Sequence, residues 1–233
     1  MSKKKAKNPN PYAKPTKKKP VPWPNVVAIV LVIAALAFAA VRLINGRIAS
    51  KQEAAAQQFE FTRTTPTDYV EIEVADYGTI KAELFGNMAP ITVNNFLNLV
   101  KEGFYDGLTF HRIISGFMIQ GGDPKGNGTG GSSETIKGEF SSNGYNNTLL
   151  HTRGILSMAR SSDPNSASSQ FFIVHQDSPH LNGNYAAFGK VIEGMEIVDA
   201  ICEKTPVQDS NGKVAPADQP VITAIRIVDN NVQ

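Results

Sequence analysis

Arg112 lies in "TFHRIISGFMIQGGDPKGNGTGG", residues 109–131, between Phe110 and Ile113 and shortly before Phe117 and Met118. This single cation stands among apolar side chains beside a glycine-dense loop, with no obvious nucleophile or acid-base pair nearby, so the chemistry open to it is that of one fixed cation. Read from this window alone, a lone strand arginine is also a solvated edge residue or half of an ion pair. Gly126, Gly128 and Gly131 have GxGxxG spacing, but a dinucleotide cradle needs a helix opening at the last glycine. "SSETIKGEF" follows and carries no helical stripe, so these glycines read as turns of a surface loop that need positive φ. His111, His151, His175 and His180 show no i, i+4 pair, and Cys202 is the single cysteine. No metal site, cofactor or intramolecular disulfide is therefore expected, and Cys202 reads as a small buried hydrophobe. The serines between 166 and 169 sit in no GxSxG elbow, which leaves a hydrolase without a nucleophile.

Several elements must position these residues. Tyr69 to Val74 ("YVEIEV") and Gly78 to Phe85 ("GTIKAELF") alternate apolar and polar as a strand pair does. Pro90 opens a helix with Val93, Phe96, Leu97 and Val100 at i, i+3, i+4 and i+7, and Gly103 ends it. Further strands are predicted at 108–114, 117–120, 154–159, 171–174, 187–191 and 221–228. A second helix at 194–203 aligns Met195, Val198 and Cys202. Alternation puts Met118 and Gln120 on one face, although Gly116 breaks the parity back to Arg112. Many short strands, wide loops and two helices indicate a mainly β fold, a closed antiparallel barrel capped by helices.

"FHRIISGFMIQGGD" (Phe110 to Asp123), "NGTGG" (Asn127 to Gly131), "GILSMA" (Gly154 to Ala159), "SQFFIV" (Ser169 to Val174) and "FGKVIEGMEIVDAI" (Phe188 to Ile201) occur in this order. Together they resemble the signature segments of the cyclophilin family of peptidyl-prolyl isomerases, over about Tyr69 to Asp229. The resemblance implies an eight-stranded antiparallel barrel with a helix at each end and an active site on its outer surface. It implies that Arg112 is the catalytic arginine and that Phe117, Met118, Phe172 and Leu181 form the proline pocket. Gln120, Ala159 and Gln170 match residues of the substrate groove, with Gln120 either orienting Arg112 or holding a substrate carbonyl. Arg160, His180 and Tyr185 depart from the best-known members, which carry Asn, Trp and His there, and Tyr185 is implied to complete the nine site residues as a substrate-binding phenol at the rim in place of the imidazole. Without the tryptophan, reduced cyclosporin affinity is implied. The implied partners are proline-containing segments, with a non-catalytic binding module or chaperone using the same groove as the alternative.

The chain's 233 residues carry a net charge of +2, but eight lysines and no acid precede Asn25, so the head is +8 and the remainder −6. Such a head could bind nucleic acid, yet "VVAIVLVIAALAFAAV" follows from Val26 to Val41, with Leu43 and Ile44 beyond a snorkelling Arg42. A transmembrane anchor at 26–44 is therefore expected and no nucleic-acid partner. Trp23 would mark the interface, and the lysines would keep the N-terminus cytoplasmic. Ala37-Phe38-Ala39 fits the rival, a cleaved signal peptide. The expected organisation is a basic head (1–25), the anchor (26–44), a partly helical stalk (45–67) and an extracytoplasmic isomerase domain (68–233). It corresponds to a membrane-anchored, bacterial-like member acting on newly exported proteins.

Overall fold

The computed structural model describes residues 66–229, the helical stretch 41–53, and positions 23, 24, 27, 31, 38 and 39. The chain divides into two compact units, Met1–Ala56 and Gln57–Gln233. Most of the expected anchor lies outside the described residues. Among the described residues no helix is long and apolar enough to cross a membrane.

The second unit is built on one eight-stranded antiparallel sheet: β1 (Asp68–Val74), β2 (Gly78–Leu84), β3 (Phe110–Ile114), β4 (Met118–Gly121), β5 (Ile155–Met158), β6 (Phe171–Val174), β7 (Ala187–Glu193) and β8 (Ile222–Val228). Their order is β3-β4-β6-β5-β7-β2-β1-β8. In β1 the alternation works as expected: Val70, Ile72 and Val74 are buried while Glu71 and Glu73 face outward. Lys81 on β2 then bridges Glu71 and Glu193 across the outer face, at 3.6 and 3.3 Å.

The sheet is curled into a half-barrel and does not close, which corrects the expected closed barrel. Its two edge strands meet at an isolated bridge, Thr109 with Val221, flanked by the amides of Phe110 on Pro220 O (2.9 Å) and Ile222 on Leu108 O (2.7 Å). Pro220 has no N–H to extend that ladder. The rest of the β3 edge is taken by residues 212–214, since Ile113 N donates to Gly212 O (2.8 Å) and Val214 N to His111 O (3.1 Å).

Helix α1 (Pro90–Lys101) buries Val93, Phe96, Leu97 and Val100, the predicted stripe, together with Thr92 and Leu99. Its first amides are capped by a carboxylate from far along the chain. Glu139, fully buried, accepts from Ile91 N (3.1 Å), Thr92 N (2.8 Å) and Thr92 Oγ1 (2.7 Å), so its charge sits at the positive end of the helix. Helix α2 (Met195–Lys204) turns a different face inward than expected. Ile197, Val198 and Ile201 are buried, whereas Met195 and Cys202 only flank the core. The centre of the core is aromatic, with Phe96 5.2 to 5.5 Å from the rings of Tyr105, Phe171 and Phe188.

A second apolar cluster forms on the sheet's other side from Met118, Ile155, Phe172, Val174, Leu181 and Ala187. These residues alternate along β4, β5 and β6 with main-core residues such as Ile119, Leu156 and Ile173. The sheet thus has two apolar faces, and the smaller one carries the site.

Candidate active site

A β-bulge puts Arg112 on that face. In β3 paired with β4, Phe110 lies opposite Gly121 and Arg112 opposite Gln120, so one strand spends two residues where the other spends one. The extra residue, His111, reverses the alternation. Phe110 and Ile113 both enter the core while Arg112 emerges half-buried on the outer face. The register continues from Gln120 to Phe172 on β6 and from Phe172 to Ser157 on β5. A guanidinium, an amide and a phenyl ring are thereby set in one row across three strands.

Hydrogen bonds fix this row. Arg112 Nε donates to Asn211 O at 2.8 Å, and Nη1 donates to Gln120 Oε1 at 3.2 Å while lying 4.0 Å from Met118 Sδ. Gln120 Nε2 donates to Gln170 Oε1 at 2.9 Å, and Gln170 Nε2 to Gly130 O at 2.7 Å. One relay therefore runs from the arginine to the glycine loop. Burial pushes the guanidinium below its ordinary pKa, and the nearby Tyr185 and Asp209 oppose that shift. An arginine remains charged through any such shift near neutrality.

A cavity of about 330 Å³ opens at this row, walled by Arg112, Gln120, Phe117, Met118, Phe172, Leu181, Ala159 and Tyr185, with Arg160 and His180 at its edge. Met118, Phe172 and Leu181 are 1%, 5% and 6% exposed, so the apolar floor is already packed. Phe117 lies in the β3–β4 turn rather than in β4 as expected. Its amide donates to Ile114 O (2.9 Å), and Gly116 at φ 82 makes the corner. His175 Nδ1 accepts the Gly116 amide at 2.8 Å and holds this tip. Leu181 comes from the 3₁₀ turn Pro179–Leu181, which also places His180 against Phe117 at 5.3 Å between ring centroids. Tyr185 meets Phe172 edge-on at 6.0 Å.

The structure thus brings together eight of the nine residues singled out from the sequence around one cavity. The ninth, Gln170, lines the adjoining cavity of about 360 Å³, along with Gly128, Thr129 and Gly130 of the glycine loop. That loop is organised by Asp123, which sequence reasoning passed over. Its carboxylate, 1% exposed, accepts from Lys125 N (2.8 Å), Asn127 N (3.1 Å) and Gly128 N (2.6 Å). Burial alone would raise its pKa, but these backbone donors outweigh it and the carboxyl stays below its usual range. Gly126 and Gly128 have φ 60 and 87 as the turn reading requires, Gly131 does not take a positive φ, and a Cβ at Gly130 would collide with the Asp123 carboxylate. An aspartate followed by Pro124 at the head of a loop rich in Gly and Asn was the available signal.

The histidines do different work. His151 lies behind Phe172, its ring stacked at 6.1 Å and its Nε2 2.9 Å from Ser157 Oγ, and burial pushes its pKa down to about 4. His175 pairs through Nε2 with Asp199 at 3.0 Å. Among the described residues, no group of three metal-ligating side chains comes together.

The site is thus a preformed apolar pocket beside a braced guanidinium, with a second cavity that shares Gln120, Ala159 and Arg160 with it. Comparison with known proteins narrows the class. Residues 69–230 match the family model described as cyclophilin type peptidyl-prolyl cis-trans isomerase/CLD. A peptidyl-prolyl cis-trans isomerase of Arabidopsis thaliana is 50% identical over 145 residues, 62% of this chain and 84% of its own. Peptidyl-prolyl cis-trans isomerase B of Bacillus subtilis is 51% identical over 130 residues, 56% of this chain and 86% of its own. The solved cyclophilin type isomerase of Cryptosporidium parvum, crystallised in the presence of the dipeptide Ala-Pro, matches with a TM-score of 0.61 and 41% identity, covering 70% of this chain and 99% of that one. The chain belongs to the cyclophilin family and is a peptidyl-prolyl cis-trans isomerase.

Proposed function

We propose that isomerisation occurs in the 330 Å³ cavity, with Arg112 as the catalytic residue and Gln120 as the residue that positions it. Rotation about an Xaa-Pro bond is opposed by about 18–20 kcal/mol because the nitrogen lone pair is delocalised into the carbonyl. As the bond twists, the nitrogen pyramidalises and becomes an acceptor. A guanidinium held in place stabilises that state more than the planar one, which lowers the barrier. Phe117, Met118, Phe172 and Leu181 would receive the pyrrolidine ring and exclude water, strengthening the interaction with the arginine. Ala159, Gln170 and Tyr185 would flank the substrate backbone. No proton moves and no bond breaks in such a rotation. The observation that carries this reading is the bracing of Arg112 by Gln120 and by the Asn211 carbonyl at the mouth of an apolar floor. With Oε1 given to Arg112 and Nε2 to Gln170, Gln120 has both ends of its amide engaged, which favours the positioning role. A protease-coupled assay on a short Xaa-Pro peptide tests it, with Gln120→Ala lowering kcat more than it raises KM.

The same reading extends to where the enzyme works: tethered by residues 26–44, with the isomerase domain outside the cytoplasm and acting on proline-containing segments of exported proteins. The uninterrupted apolar run after eight lysines supports this. Among the described residues of this stretch, Leu31, Phe38, Val41, Leu43 and Ile44 are 54% to 68% exposed and so available to a lipid phase. Full-length protein should stay with membranes through high-salt and carbonate washing, and external protease should digest the domain. A soluble product beginning near Ala40 would instead identify a cleaved signal.

A further inference from the structure

Arg160 stands where the two cavities join and lines both. It is held unusually firmly for a half-buried arginine. Its guanidinium lies 4.7 Å from the Tyr185 ring centre and 5.1 Å from that of Phe140, while Nε donates to Asn184 O (3.0 Å) and Nη1 to Ser161 O (2.8 Å). Stacking and carbonyl bonds of this kind orient the planar fork at little further entropic cost. Neither contact neutralises it. Among the described residues Nη2 has no hydrogen-bond partner, and the cation's partners are neutral carbonyls and rings.

Charge in the groove is correspondingly one-sided. The walls of the two cavities carry Arg112 and Arg160 and no carboxylate. Asp163, on the loop following Arg160, accepts the Asn165 amide (2.8 Å) and lines neither cavity. Asp209 acts on Arg112 from a turn where it receives the amides of Asn211 and Lys213. The site is therefore locally positive in a chain that is net negative beyond its lysine head. Long-range attraction would not favour an acidic substrate, so any such preference must arise at the groove.

We propose that Arg160 is a specificity-determining residue that selects proline segments with an acidic side chain next to the proline, whose carboxylate pairs with the free edge of its guanidinium. The proposal rests on the site reading above. Tyr185 links pocket and guanidinium, its ring 6.0 Å from that of Phe172 and 4.7 Å from the Arg160 guanidinium, so with the ring seated on Phe172 a chain advancing about 3.3 Å per residue brings a neighbouring side chain within reach of Arg160 in about two residues.

Two peptide series decide it. Each places Glu, Gln or Lys at one of the two positions on either side of an otherwise constant Xaa-Pro bond, and kcat/KM is measured at low and high salt. At one position Glu should exceed Gln by about five- to tenfold, the margin of a charge-assisted hydrogen bond over the neutral one that Gln can still make. Lys should fall below Gln, and the spread should shrink at high salt. In Arg160→Gln the Glu-to-Gln ratio should fall to about one, and Arg160→Lys should recover part of it. Equal rates for Glu and Gln peptides at every position in the parent overturn the proposal even if no variant folds. A ratio that persists in folded Arg160→Gln also overturns it and assigns the preference to Arg112. Absence of turnover on every peptide, neutral ones included, would refute the underlying isomerase site instead.

Discussion

Replacing Arg112 tests whether a fixed donor drives the bond rotation. In Arg112→Ala the side chain loses its bonds to Asn211 O and Gln120 Oε1. Both acceptors lie toward solvent or retain other partners, so the stability loss is small, about 1 kcal/mol per bond at most. The kinetic loss is larger because Arg112 is the donor braced beside the apolar floor that would receive the proline ring. By analogy with deleting one oriented donor to a developing charge, it should be about 2.7–4 kcal/mol, or 10²–10³ in kcat/KM. Arg112→Lys separates charge from geometry. One ammonium cannot reach Asn211, Gln120 and the substrate together, so it should restore less than a tenth of the parent rate. The assay is protease-coupled isomerisation of an Xaa-Pro peptide, with thermal unfolding and binding of a proline peptide as controls. If folded Arg112→Ala keeps most of the parent activity, the guanidinium is a bystander and the electrostatic account fails.

Three further outcomes are expected. Phe172→Ala removes a 5% exposed ring from the pocket floor, and should raise KM, lower kcat and cost about 3–5 kcal/mol of stability, measured by denaturant unfolding. His151 is held neutral by burial with a pKa pushed down to about 4. Below its unfolded value near 6.5 the unfolded chain gains a proton that the native state refuses, so stability should fall between about pH 6.5 and 4 by something on the order of 3 kcal/mol and then level off. His151→Gln should flatten that slope, and a parent whose stability is constant across the window contradicts the assignment. Cyclosporin should bind weakly with His180 against Phe117, and His180→Trp should tighten it in a competition assay.

How far the sequence disclosed the fold follows from which forces are local. Alternation in β1 and β2 and the stripe of α1 were legible because each records burial of one face by its own neighbours. All eight strands appear near their predicted positions, although β5 and β6 are buried on both faces and show no alternation. The closed barrel was not borne out. Whether the sheet closes depends on what occupies the free edge of β3, and residues 212–214 come to it from about 100 positions away. Nothing in either segment announces the other. Glu139 at the head of α1 is the same kind of case, a cap supplied across 47 residues with no capping residue at the helix itself.

The site shows a subtler division. Its members were identified through family resemblance rather than periodicity, and the bulge at His111 explains why. Strict alternation would put Arg112 on the same face as Phe110, in the core, where an unpaired guanidinium cannot be accommodated. The extra residue lets a core phenylalanine and an outward arginine lie two positions apart, and it aligns Arg112 with Gln120 rather than between rungs. The break in the pattern is therefore what builds the active face. A substitution that removed the bulge would be predicted to move Arg112 off its rung and silence the enzyme while leaving the pocket residues in place. Deletion of His111, read by isomerisation rate against proline-peptide binding, tests that link: binding retained with activity lost supports it, and retained activity would show that Arg112 reaches its station without the bulge.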